Sequence, residues 1–446
     1  MTIARTFAEF LAQTSNADLP AQTVDHAAML IASTIASAAC GKTIASAMIV
    51  RDLAKERGGT PEASIWFDHG PKLPAVYAAR VNAMMSDAAA SDDSDLRNIV
   101  HAGTPLTATS LALAQRTGAS GEDILAAIVI GYEAAGRIGE SVTEGINTLG
   151  FHGCLGATFG AAVAAAKLLH LNEEQMAHAL ALTATSIGGL RAAANTSVSR
   201  EYHAGLATML GIDAAMAAQK GYTGELTIFE APKGFCRVFG QSDGSSITRD
   251  LGEQWDIVTD MAVKLVPGGH PYHSLAEAAA NAAREGDIAA HDIVSISVSQ
   301  PGVTALTPPL HPRDLIDMAH SPAYFAAAGA ARDFSWANAS PQKIADPVIH
   351  ELIDKVRVGP TLTENLSAYR QGATVTIEAS DGRCVTNTVH VPKGAGMLGI
   401  DWADIEVKYR ALAPQALNSE QLNASLLVIR GFRNAHNVDA LIDLLR

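Results

Sequence analysis

The run ATFGAAVAAAKLLHL, Ala157 to Leu171, constrains the fold more than any other stretch of the chain. Wound as a helix it is apolar nearly all round, so it has no polar face to turn towards water. Such a helix needs other helices around it, and its Ala and Gly residues let neighbouring axes come close. The same composition recurs in TVDHAAMLIASTIASAAC after Pro20 and Ala21-Gln22, in NEEQMAHALALTATSIGGL and in EYHAGLATMLGIDAAMAAQKG. GEDILAAIVIGYEAAGRIGESV joins them and opens on acidic residues suited to a helix N-terminus. Residues up to about 260 therefore read as the core of an α-helical bundle.

The pattern changes after about Pro267. DIVSISVSQPG alternates Ile293, Ser295 and Ser297 with Val294, Ile296 and Val298, as a strand does. ATVTIEASDGRCVTNTVHV reads as a hairpin of two β-branched runs joined around Asp381-Gly382. SPAYFAAAGAARDF and DPVIHELIDKV between them read as helices, and the chain returns to helix in NSEQLNASLLVIRGFRNAHNVDALIDLLR. The expected fold is mainly α: a large all-helical domain of residues 1–265 and 398–446, with a smaller α/β domain of residues 266–397 inserted. A cleft between two such domains is a common place for a small-molecule site.

Composition excludes several classes. With 48% hydrophobic and 17% charged residues, the 446-residue chain is globular, not disordered. A formal net charge of −14 argues against nucleic acid as a partner, since phosphate binding needs clustered Lys and Arg. Cys40, Cys154, Cys236 and Cys384 form no C-x-x-C pair, so neither a zinc site nor a disulfide framework is expected. MTIARTFAEFLAQTS reads as an amphipathic helix, not a signal peptide, and no uninterrupted apolar run reaches roughly 18 residues. No membrane span is expected, and a cytoplasmic location is the default.

Motifs narrow the choice slowly. GCLGATFGAA, with Gly153, Gly156 and Gly160, lacks the spacing of a dinucleotide fingerprint and follows no strand, so its glycines point to close helix packing. GGHPYH sets His270 and His273 three apart, which without further ligands is weak evidence for metal. SDDSDLRNIVHAGTP concentrates three carboxylates and a histidine in a chain economical with charge. It reads either as a solvated loop whose Asp residues cap a helix, or as one wall of an active site. His101 in that stretch, His152 just before an apolar helix, and His203 within a helix stand out among the histidines. Arg200 and Lys264 are cations bordering apolar segments.

Several longer segments carry a resemblance. GGTPEASIWFDHGPKLPAVYAARVNAMMSDAAASDD, GFHGCLGATFGAAVAAAKLLHLNEEQMAHALALTATSIGGL, REYHAGLA, EAPKGFCRVFG, VKLVPGGHPYHSLAEA and AHSPAYFAA follow one another as corresponding segments do in the MmgE/PrpD family. The chain resembles that family nearly end to end. The family contains 2-methylcitrate dehydratase and cis-aconitate decarboxylase. The resemblance implies a helical domain with a lid domain, a homodimer, and cofactor-independent chemistry on a small-molecule polycarboxylate, with no metal. Its catalytic and anion-holding positions fall on Asp93, His101, His152, Arg200, Lys264 and Tyr324. Ser91 stands where an aspartate is usual, Arg200 where a lysine is usual, and LVPGGH where Tyr-Pro is expected after Lys264.

Those departures put dehydration or decarboxylation of the usual substrates in doubt, and within the family the sequence looks most like a member that epimerises iminodisuccinate, inverting the carbon that bears an amine and a carboxylate. Removing that hydrogen leaves an enolate-like dianion, which cations must stabilise more than they stabilise substrate. Arg200 suits this through its planar fork, with Lys264, His270 and His273 for the remaining charge. Inversion needs proton-transferring groups on opposite faces. His101 is expected on one, either Lys264 or Tyr324 on the other, Asp93 orienting the His101 ring, and His152 completing the anion pocket or serving as alternative base. The rival within the same fold is dehydration of a 2-methylcitrate-like hydroxy-tricarboxylate. A helical binding protein that has lost activity is the rival from another class.

Overall fold

The computed structural model describes residues 1–196 and 199–446. The protein is mainly α-helical and divides into two compact units, Met1–Val263 with Gly399–Arg446, and Lys264–Leu398.

In the first unit the Cys154–Leu168 helix is enclosed as its composition demands: every residue but Lys167 is buried. It packs against the Gly121–Ser141 and Arg200–Gln219 helices, and glycine sets the spacing. A Cβ on Gly160 would stand 2.8 Å from the Gly131 carbonyl oxygen, and one on Gly131 would stand 2.9 Å from that of Gly160. Backbone meets backbone there, which is the packing role the sequence suggests for Gly160. Lys167 is exempt from burial because its ammonium donates to the carbonyls of Ala12 (3.1 Å) and Thr14 (2.6 Å), at the C-terminus of the Ile3–Gln13 helix. Capping boxes at Ser120/Asp123 and Asn172/Gln175 start the next helices. The Ala21–Gly41 helix has the length and hydropathy to cross a membrane, but 89% of its apolar window is covered by the protein itself.

The expectation of an all-helical first domain is corrected at one place. β1 (Asp93–Asp95) and β2 (Met261–Val263) form an antiparallel ladder with Asp93 opposite Val263. The acid cluster is thus a buried strand, not a solvated loop: Ser91 to Leu96 are all buried. Alternation fails as a signal here because both faces of so short a strand are covered. Lys408, fully buried on the Trp402–Leu412 helix, donates to the Ser91 carbonyl and to Ser33 Oγ (2.7 Å), while Ser37 Oγ donates to the same Ser91 carbonyl at 2.8 Å.

The second unit holds a four-stranded sheet in the order β4-β3-β5-β6, comprising β3 (Ile293–Ser299), β4 (Val356–Val358), β5 (Ala373–Ala379) and β6 (Cys384–Val389). β3 and β4 run parallel and the other pairs antiparallel. β5 and β6 are the hairpin read from the sequence, with Gly382 at φ +88° supplying the turn. Inward residues such as Ile296, Val375 and Ile377 pack with Leu275 and Phe325 into a core of this unit's own. The His273–Glu285 and Pro322–Ala330 helices meet where a Cβ on Gly329 would lie 2.2 Å from the Ala276 carbonyl oxygen.

Candidate active site

The three carboxylates of the acid cluster have three separate tasks. After β1 the chain turns back sharply: the Asp95 N–H donates to the Val100 carbonyl (2.8 Å) and the Ile99 N–H to that of Asp95 (2.8 Å). Ile99 takes φ +55° in this turn, an uncommon conformation for a β-branched residue. Arg97 holds the turn, reaching Asp95, Asp256, Asp260 and Glu140. Asp95 is therefore structural. Asp93 accepts from the Gly103 N–H (2.9 Å) and the Tyr132 hydroxyl (3.1 Å), capping the Gly103–Thr117 helix. Burial and the neighbouring Asp92 charge push its carboxyl up to about 6, against the opposing influence of His101, Gly103 and Tyr132.

The turn delivers His101 beside the strand it has just left. Its Nδ1 lies 2.7 Å from the Asp93 carbonyl oxygen and 2.9 Å from the Asp92 carboxylate. Two acceptors at one nitrogen require a hydrogen there, so the neutral ring keeps its lone pair on Nε2. The expectation that the Asp93 side chain orients this ring is corrected. Asp92 supplies the carboxylate, and Asp93 contributes through its backbone.

His152 has the opposite arrangement. The Cys154 N–H donates to its Nδ1 at 3.3 Å, which places the hydrogen of the neutral ring on Nε2. Burial first, then the charge that His101 and His203 carry when protonated and the Arg200 charge, hold it well below the usual histidine range, so it stays neutral. The His101 and His152 rings stack with centroids 6.2 Å apart and planes at 24°. His203 follows, its centroid 4.8 Å from that of His152.

Arg200 opens the Arg200–Gln219 helix and is buried, not on the surface. Its Nε donates to Asp87 Oδ2 (3.2 Å) and its Nη2 to the Asp87 carbonyl (2.7 Å). Burial works against its charge, but Asp87, Asp92 and Glu201 outweigh that and fix it as a cation. Asp87, His101, His152, Cys154, Arg200 and His203 line one small cavity within the first unit. It therefore combines a fixed guanidinium with one imidazole ready to accept a proton and another ready to donate a hydrogen bond, the set that binds a carboxylate and works on the adjacent carbon.

Residues 5–248 match the MmgE/PrpD N-terminal domain and residues 267–431 the MmgE/PrpD C-terminal domain. The chain belongs to the MmgE/PrpD family. Among curated relatives of this MmgE/PrpD protein, the cis-aconitate decarboxylase-like protein oryM of Aspergillus oryzae is 27% identical over 384 residues, covering 79% of this chain and 78% of that protein. Cis-aconitate decarboxylase of Homo sapiens is 24% identical over 439 residues, covering 95% and 90% respectively. That of Mus musculus is 25% identical, covering 89% and 84%.

The other residues singled out from the MmgE/PrpD resemblance lie in the second unit. Lys264 is its first residue and is buried, directly after β2 in the chain. The Tyr324 hydroxyl donates to the Lys343 carbonyl (3.1 Å) and accepts from Asn338 Nδ2 (3.0 Å), an arrangement that ties it into the unit's own structure. His270 and His273 are buried with ring centroids 4.6 Å apart, His273 lying 5.8 Å from Phe325. Sequence reasoning missed Asp87, Asp92 and Cys154 as members of the site. The available signal was weak: Asp87 is a lone acid near the end of an apolar helix, and Cys154 lies two residues from His152.

Proposed function

We propose that this MmgE/PrpD protein is an acid–base enzyme acting on a small polycarboxylate, with no cofactor taking part in the chemistry. The single observation carrying this reading is the opposite hydrogen placement on His101 and His152, side by side next to Arg200. Asp87 holds the Nε–Nη2 side of Arg200, and the Nη1 side of the guanidinium binds one substrate carboxylate. His101 Nε2 takes the hydrogen from the carbon next to a carboxylate, and the proton is stabilised there by the Asp92 carboxylate across the ring. Charge then builds on the carboxylate oxygens. His152, kept neutral, meets it with its Nε2–H, and the fixed Arg200 charge meets it without rearrangement.

The completion we favour is elimination, the loss of hydroxide from the neighbouring carbon of a 2-methylcitrate-like hydroxy-tricarboxylate. Relatives named as cis-aconitate decarboxylases, enzymes that cleave a bond beside carboxylates, support this over isomerisation. Lys264, which follows the register partner of Asp93, is the proposed second proton-transferring group. His270 and His273 are proposed as carboxylate-binding residues, and a homodimer as the working form.

Epimerisation of iminodisuccinate is the second reading. It is favoured by two imidazoles facing one cavity 6.2 Å apart, a separation that suits proton removal and return about a single carbon. One assay separates the two. The protein is incubated in deuterated buffer with hydroxy- and amino-polycarboxylates, and both hydrogen exchange and the ultraviolet absorbance of a conjugated alkene are followed. Exchange with alkene selects elimination, and exchange with scrambled stereochemistry and no alkene selects epimerisation. The absence of exchange with any of them sinks the acid–base reading altogether.

A further inference from the structure

We infer that His152, Cys154 and His203 form a binding site for a thiophilic divalent cation, zinc above all, on the wall of the catalytic cavity. One ligand atom from each of the three lies within 4.8 Å of the other two. Two imidazoles and a thiolate are a donor set that zinc takes at about 2.0–2.1 Å and about 2.3 Å respectively, leaving a fourth tetrahedral position open. Drawing three atoms from this spacing onto one ion requires shifts of about an ångström or less, within the reach of side-chain rotations.

The surroundings single these three out from other histidine pairs in the chain. His203 is more than nine-tenths buried, and its Nδ1 has no hydrogen-bond partner among the described residues. A polar nitrogen left so in the interior is costly, and a ligand that satisfies it repays that cost. Cys154 spends its thiol hydrogen only on the Gly188 carbonyl at 3.3 Å. Gly189 borders the sulfur: a Cβ there would lie 2.5 Å from Cys154 Sγ, with the Cδ2–Nε2 edge of His203 in ordinary contact at 3.6 Å. The Arg200 charge opposes a cation here, but Asp87 is bonded to that guanidinium and balances it.

A cation needs a lone pair on His152, so its binding displaces either the Nε2 hydrogen or the Cys154 N–H bond to Nδ1, and metal excludes the proposed chemistry at this ring. That consequence for turnover rests on the proposed function, whereas the binding itself does not. The test uses the full-length protein freed of metal with a chelator. Zinc is titrated against a chromophoric competitor, and cobalt(II) is added separately as a spectroscopic probe. One zinc per chain is expected, with affinity at least about tenfold weaker in C154A and in H203Q. A near-ultraviolet thiolate-to-cobalt band is expected in the native protein and absent from C154S, which keeps the size of the side chain and guards against loss through misfolding. Zinc should slow solvent hydrogen exchange of substrate in the native protein more than in C154S, each compared with its own metal-free rate. Equal zinc affinity in native protein, C154A and H203Q, or a cobalt spectrum lacking the thiolate band, overturns the site. Loss of exchange activity with zinc binding intact counts only against the proposed function.

Discussion

Asp92 and Asp93 are adjacent carboxylates with opposite duties, and exchanging each for its amide separates them. In D92N the Nδ1 hydrogen of His101 loses its charged partner, and the imidazolium formed during proton abstraction loses its stabilisation. A fall in kcat of about 100-fold or more is expected, with little change in thermal stability. D93N keeps an oxygen for the Gly103 N–H and can still bond Tyr132, so its effect lies in the pH dependence of folding. The native carboxyl, raised to about 6, holds a proton that the unfolded chain has released above its ordinary value of 3.8. Stability attributable to Asp93 is thus complete at low pH and declines between about pH 4 and 6, by about 3 kcal/mol in all. His152 and His203, held neutral by burial, act with the opposite sign, losing stability as pH falls through about 6.5. Between about pH 6 and 4 the urea midpoint of D93N should therefore fall relative to that of the native protein on acidification. Identical pH profiles would mean that Asp93 does not titrate as its burial requires. His101, His152 and Arg200 were legible from residue type and context. Asp92 was not, because it lies in the bend just before β1, where no periodicity tells which of two consecutive aspartates meets the imidazole.

Helices were the most legible elements, and for a stated reason. Apolar composition on all sides leaves a helix no alternative but burial, so the Cys154–Leu168 and Ala21–Gly41 segments declared their environment as well as their type. The β5–β6 hairpin was legible through alternation and its Asp-Gly turn. β1 and β2 were hidden, since three residues are too few to display a period and their partners lie far apart in sequence. The glycine contact between helices yields a prediction at this scale. Alanine at Gly160 improves helix propensity by about 1 kcal/mol, but its Cβ would stand 2.8 Å from a backbone oxygen that has no rotamer to escape into. G160A should therefore be destabilised by about 1–3 kcal/mol, read from its denaturant midpoint, and its cavity should shift with the helix that carries Cys154. A more stable G160A would show that the helices separate freely.

At the scale of the molecule, continuity of the chain separates the two units. Residues 264–398 form one uninterrupted segment with a core of their own, so this piece alone is expected to fold and to unfold cooperatively by heat. A broad, non-cooperative transition would show that its core depends on the rest of the protein. The first unit is built from both ends of the chain, and a version lacking residues 399–446 is expected to lose structure around β1. The reason is local. The buried ammonium of Lys408 satisfies Ser33 and the Ser91 carbonyl directly beside the acid-bearing strand. Translation reaches that lysine after His101, His152 and His203. A polypeptide still emerging from the ribosome is thus expected to carry every imidazole of the cavity while the strand beside them is still unanchored.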